Sequence, residues 1–78
     1  MTMTPTAEDR VMRRKLGAEL RRLRGEEPQG NVSRRLGFTQ ASLSNYETGK
    51  REPTLFRAAK IAGAYGVTLD ELIARVSS

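Results

Sequence analysis

Apolar side chains along this chain recur at three- and four-residue intervals, and no stretch alternates convincingly with period two. Val11, Met12, Leu16, Leu20 and Leu23 form the first set, the spacing of one buried stripe on a helix. Thr6 followed by Asp9 reads as an N-terminal capping pair. Glu8 and Asp9 open the segment and Arg21, Arg22 and Arg24 close it, an order that suits the helix dipole. The pattern predicts a first helix over 8–24. Before it, residues 1–7 hold Met, Thr and Pro without period and read as a flexible leader.

"GEEPQG" breaks the pattern. Pro28 suits the first turn of a short second helix, on which Val32 and Leu36 share a face. Gly30 and Asn31 are poor helix formers there, and Gly37 ends the helix as a glycine cap. Thr39 is a good N-cap for a third helix. Phe38 and Leu43 take the positions of a hydrophobic staple, with Leu43 and Tyr46 facing inward. Gly49 stops that helix and Pro53 marks an extended turn. Thr54 then caps a fourth helix burying Leu55, Ala58, Ile61, Ala62 and Tyr65, and Gly66 ends it. "TLDE" at Thr68–Glu71 is a capping box, with Val67 and Leu72 as its staple. A fifth helix is predicted over about 68–76. The sum is an all-α domain of five short helices over 8–76, with no repeat and no dividing linker.

Composition narrows the chemistry. The 78 residues suffice for one small domain. There is no cysteine and no histidine, which removes disulfides, thiolate metal sites and the commonest general base together. A non-enzyme without metal or cofactor is expected. The net charge of +5 and pI near 10.5 suit a polyanion, either nucleic acid or an anionic surface, and equally a merely soluble surface. No apolar run approaches the roughly 18 residues of a membrane span, and "MTMTPTAEDR" has no apolar stretch of the kind a signal peptide needs. The cytoplasm is the expected location.

The third helix raises a sharper question. At about 100° per residue, Thr39, Ser42, Leu43 and Tyr46 fall on one side, and Gln40, Ala41, Ser44, Asn45 and Thr48 on the other. A solvent face usually carries Glu and Lys for their helix propensity. This one carries amides, hydroxyls and a small Ala. Gln and Asn can pair with the N6 and N7 edge of adenine, and Ala can sit against a thymine methyl. Lys50 and Arg51 follow directly, within reach of a phosphate backbone, and the free amides opening the second helix offer another phosphate site.

The order "LGF–TQASLSNYETGKREP–TLFRAAKIAGAYGVTLDELI" resembles the Cro/cI-type (XRE-type) helix-turn-helix domains of phage repressors and bacterial regulators. The resemblance covers about residues 14–74. It is carried most strongly by "LGAELRRLR", "SNYETGKREP" and "YGVTLDELI". It implies a compact five-helix, lambda-repressor-like fold with the third helix reading the major groove. Gln40, Ala41, Ser44 and Asn45 match base-reading positions. Gln29 matches a Gln that contacts phosphate beside the recognition helix, and Lys50 matches a backbone contact. With Thr39, Thr48 and Arg51 these form the expected phosphate set. Glu47 matches a structural Glu that pairs with an Arg of the first helix: Arg24 is the expected partner and Arg21 the alternative. The sequence departs from the pattern in "GEEPQGNVSRR", about two residues shorter than the family's connection. Pro28 replaces a capping Thr there, and Ser33 a packed Ala.

The remaining residues fall into place around this reading. Arg10, Arg13, Arg14 and Lys15 read as a solvated helix face, with an extended phosphate footprint as the alternative. Tyr65 is expected in the core. Phe56, if exposed, is a candidate dimer contact, and Ile73 with Val76 a second self-association surface. Asp70 and Glu71 belong to the capping box rather than a metal site. The expected function is a sequence-specific double-stranded DNA-binding transcriptional regulator, binding as a homodimer to half-sites about 10 base pairs apart. Two other readings compete: an antitoxin or adaptor acting on a toxin or on polymerase, and the DNA-binding end of a longer repressor.

Overall fold

The computed structural model describes residues 6–77. It contains five helices: α1 (Ala7–Arg24), α2 (Gln29–Leu36), α3 (Gln40–Glu47), α4 (Leu55–Ala64) and α5 (Leu69–Ser77), with no strand among the described residues. The all-α expectation is borne out, and the caps that produce it are visible. Thr6 Oγ1 accepts from the Asp9 amide at 3.1 Å while Asp9 Oδ2 accepts from the Thr6 amide at 3.0 Å. Those bonds from Thr6, backbone first, hold the Asp9 carboxyl below its ordinary range. Thr68 and Glu71 make the same reciprocal pair at the head of α5.

Two boundaries differ from the sequence reading. Ala7, assigned to the leader, is the first residue of α1, behind the Thr6 cap that the sequence predicts, because the capping box supplies partners for amides that would otherwise be orphaned. The rest of the predicted leader, residues 1–5, lies outside the described residues. Pro28 is the N-cap of α2 rather than its first helical residue. Its ψ of 142° is extended, and its carbonyl accepts the first helical bonds from Asn31 and Val32. The turn before it is fixed by Arg24, which donates to the Glu27 carbonyl at 2.8 Å.

Leu20, Val32, Leu36, Leu43, Tyr46, Ile61, Ala62 and Leu72 form one core to which all five helices contribute. α3 packs against both α1 and α2, and α5 closes the far side against α1 and α4. Ser33, in place of a packed Ala, is buried and satisfied by donating to the Gly30 carbonyl at 3.2 Å. Three burial assignments need correction. Val11, at the start of the first stripe, is 50% exposed. Leu55 is 67% exposed although it lies on the stripe of Ala58 and Ile61. Val76, expected to be uncovered, is buried, lining a small apolar groove with Met12 and Leu16 of α1. Ile73 on the same helix remains exposed.

Candidate nucleic-acid interface

α3 is anchored before it is presented. Thr39 Oγ1 accepts from the Ser42 amide at 3.1 Å and donates to Ser42 Oγ at 2.9 Å. Leu43 is fully buried. Tyr46 is buried too, its hydroxyl accepting from Arg57 at 2.7 Å and its ring meeting Phe38 edge-on at 6.4 Å. The outward side carries the predicted set. Gln40, Ala41 and Thr48 are exposed, and Ser44 and Asn45 are half-buried. Lys50 and Arg51 are exposed just beyond. Thr39 and Thr48 differ from the others in that their hydroxyls already serve the helix ends: Thr48 Oγ1 donates to the Ser44 carbonyl at 3.0 Å. Either would exchange an internal bond to donate to a phosphate.

The one acidic residue of α3 is hidden. Glu47 is buried and receives two bonds from Arg24, at 2.7 Å from Nε and 2.9 Å from Nη2. Paired donors on one carboxylate give both energy and fixed orientation, and the carboxylate raises the pKa of the Arg24 guanidinium. Of the two candidates the partner is Arg24; Arg21 stands exposed. Gln29 Nε2 adds a third bond to Glu47 at 2.8 Å. The first residue of α2 is thereby tied to the last of α3, so Gln29 sits beside the third helix as the resemblance implied.

Sequence reasoning missed how α1 meets this helix. Gly17 is buried, and a Cβ there would lie 2.4 Å from the Glu47 carbonyl oxygen and 2.5 Å from that of Tyr46. Only glycine lets α1 approach the end of α3 so closely. An isolated glycine inside a strongly apolar-periodic helix was the available signal. Gly49 repeats the device one turn on: its φ is +79° and its Cβ position lies 3.1 Å from Arg14 Cα, while its carbonyl accepts from Arg13 Nε at 3.3 Å. Arg13 is therefore half-buried and engaged, whereas Arg10, Arg14 and Lys15 are exposed as the solvated-face reading expected.

Tyr65 packs against the core as expected, but its buried hydroxyl has no hydrogen-bond partner among the described residues. Burial, then the nearby Glu47 charge, pushes this phenol up to about 12. The folded state thus holds the proton more tightly than the unfolded chain. The associated stability is intact below the ordinary phenol range near pH 10 and drains away as pH climbs from 10 to about 12. Tyr65→Phe should remove that alkaline loss. At neutral pH it should be neutral or stabilising by about 1 kcal/mol, since an unsatisfied buried hydroxyl is deleted. Urea unfolding at pH 7 and pH 11 measures both effects; a loss above about 1 kcal/mol at pH 7 would show that the hydroxyl has a partner in solution.

Two helices joined at a tight glycine turn, the second held by the first and by α1 with its polar side outward, define a helix-turn-helix domain. The chain belongs to the helix-turn-helix family, of the XRE type, whose description matches residues 28–72. It is 41% identical over 64 residues to an uncharacterized HTH-type transcriptional regulator, y4dJ, of Sinorhizobium fredii (strain NBRC 101917 / NGR234), covering 80% of this chain and 83% of that protein. No helix among the described residues is long and apolar enough to cross a membrane.

Proposed function

We propose that this protein is a sequence-specific, double-stranded DNA-binding transcriptional regulator of the cytoplasm, working without cofactor or catalysis, with α3 in the major groove. The observation that carries the reading is the outward face of α3. Gln40 and Ala41 stand exposed at its N-terminal end, Ser44 and Asn45 lie half-exposed behind them, and the helix's one carboxylate is turned inward and neutralised. A face with paired donors and acceptors and no negative charge suits base edges between two phosphate backbones. Lys50 and Arg51, with Gln29, Thr39 and Thr48, fix the register, and Gln40 and Asn45 read bases. The two helix-turn-helix units of a homodimer then read half-sites about 10 base pairs apart, or a multiple.

Gln40→Ala should cost about 1–3 kcal/mol on the preferred site and relax its specificity. Lys50→Ala should weaken every duplex alike and reduce the salt slope by about one unit. Selection from a random duplex pool supplies the site, and fluorescence anisotropy at several salt concentrations supplies the numbers. Equal losses on selected and random DNA for Gln40→Ala would remove it from base reading. Strict 1:1 stoichiometry on the selected duplex by sedimentation would remove the homodimer.

A further inference from the structure

Phe56 is 85% exposed, the most exposed large apolar side chain among the described residues, and Leu55 stands exposed beside it. It does not stand alone. It forms one wall of an open depression with Leu36, Gly37, Phe38, Arg57 and Lys60, between the end of α2 and α4 and sharing no residue with the outward face of α3. The Arg57 guanidinium lies 4.6 Å from the centre of the Phe38 ring, and Lys60 Nζ lies 5.7 Å from it. Their hydrogen bonds go to neutral acceptors only. Arg57 donates to the Tyr46 hydroxyl, and Lys60 to the Leu36 carbonyl at 2.8 Å. Neither forms an ion pair among the described residues. Most N–H donors of both cations are left over.

We propose that this depression docks a short acidic segment of a partner protein, with an apolar side chain against Phe56 and Phe38 and a carboxylate on Arg57 and Lys60. Charge decides among occupants. A second copy would bring a chain of net charge +5 against two cations that have no ion-pair partner among the described residues, and like charges brought together in a partly desolvated contact repel strongly. A phosphate backbone would satisfy the cations but leave the exposed Phe56 ring uncovered. An acidic, apolar segment matches both halves of the surface, and aromatic and Arg side chains are those that most often anchor such contacts. The adaptor reading of the sequence left room for a protein partner; this surface supplies the chemistry such a partner needs.

The test titrates a synthetic peptide of alternating Glu and Leu, and a control with Lys for Glu, into the 15N-labelled chain of 78 residues. The proposal expects amide shifts at Gly37, Phe38, Phe56, Arg57 and Lys60 for the acidic peptide only. Binding should weaken about tenfold or more in Phe56→Ala and measurably in Lys60→Gln, with circular dichroism confirming that both variants fold. Phe56→Ala should leave affinity for the selected duplex unchanged, which separates this surface from the DNA-reading face whether or not that reading holds. Four results would overturn the proposal: no binding by the acidic peptide, shifts confined to the outward face of α3, self-association abolished by Phe56→Ala, or loss of duplex affinity in that variant.

Discussion

Gly17→Ala should lower the melting temperature by on the order of 10 °C, although alanine is the better helix former. Two effects oppose each other. Replacing glycine inside a helix gains about 1 kcal/mol. Against that, the new methyl would stand 2.4 Å from one backbone oxygen and 2.5 Å from another, and neither can swing aside as a side-chain tip would. Helix α1 and the end of α3 must move apart, and overpacking of this kind costs about 1–3 kcal/mol and sometimes more. With both clashes on backbone atoms, the steric cost should lie at the top of that range, about 3 kcal/mol, and exceed the propensity gain by about 2 kcal/mol; each kcal/mol moves the midpoint of a domain this size by about 4–8 °C. Gly63 is the matched control. It is also helical, but it is exposed and a Cβ there meets nothing within 4 Å, so Gly63→Ala should raise stability by about 0.5–1 kcal/mol. Calorimetry of both variants decides; a rise in both would mean that α1 and α3 do not touch as described.

Glu47→Ala should be the most damaging single substitution. It leaves Arg24, only 13% exposed at its side chain, charged and without its carboxylate, and strips Gln29 of its acceptor. Breaking a buried pair from one side costs about 3–5 kcal/mol. At about 0.05–0.15 kcal/mol per residue, that is a large part of the whole stability of this chain. Glu47→Gln keeps the shape and one acceptor and should lose less. The double variant Arg24→Met with Glu47→Leu removes both charges and should recover most of the loss, because an ion pair of this kind has to offset its own desolvation. Midpoints of urea unfolding for the three variants measure this. A cost below about 1 kcal/mol for Glu47→Ala would mean that the pair is exposed in solution.

What the sequence made legible was local. Helix periods, the Thr6, Thr39, Thr54 and Thr68 caps and the glycine stops are short-range signals, and the structure carries them. The resemblance supplied the Arg24–Glu47 pair with Arg21 as the alternative, and the geometry chose Arg24; the longer-range pair of Arg75 with Glu19 went unread. What it hid depended on neighbours. Leu55 obeys the period of α4 yet is exposed, and Val76 at the tail of α5 is covered by α1. Pro28 fits a cap or a first turn equally by φ, and only the incoming chain decides. The role of Gly17 stayed hidden because the backbone it accommodates, at Tyr46 and Glu47, lies about thirty residues later in the chain. The polar outward side of α3 was legible because its unusual polarity is a property of one helix alone.

The contact at Gly17 bears on how a duplex would be recognised. Backbone set against backbone has no soft side chain between the two segments to act as a cushion, so α3 is carried as a stiff probe. Under the proposed function, mutual adjustment on docking falls to the nucleic acid. Steps that twist or bend easily between the half-sites would then favour binding without ever being touched.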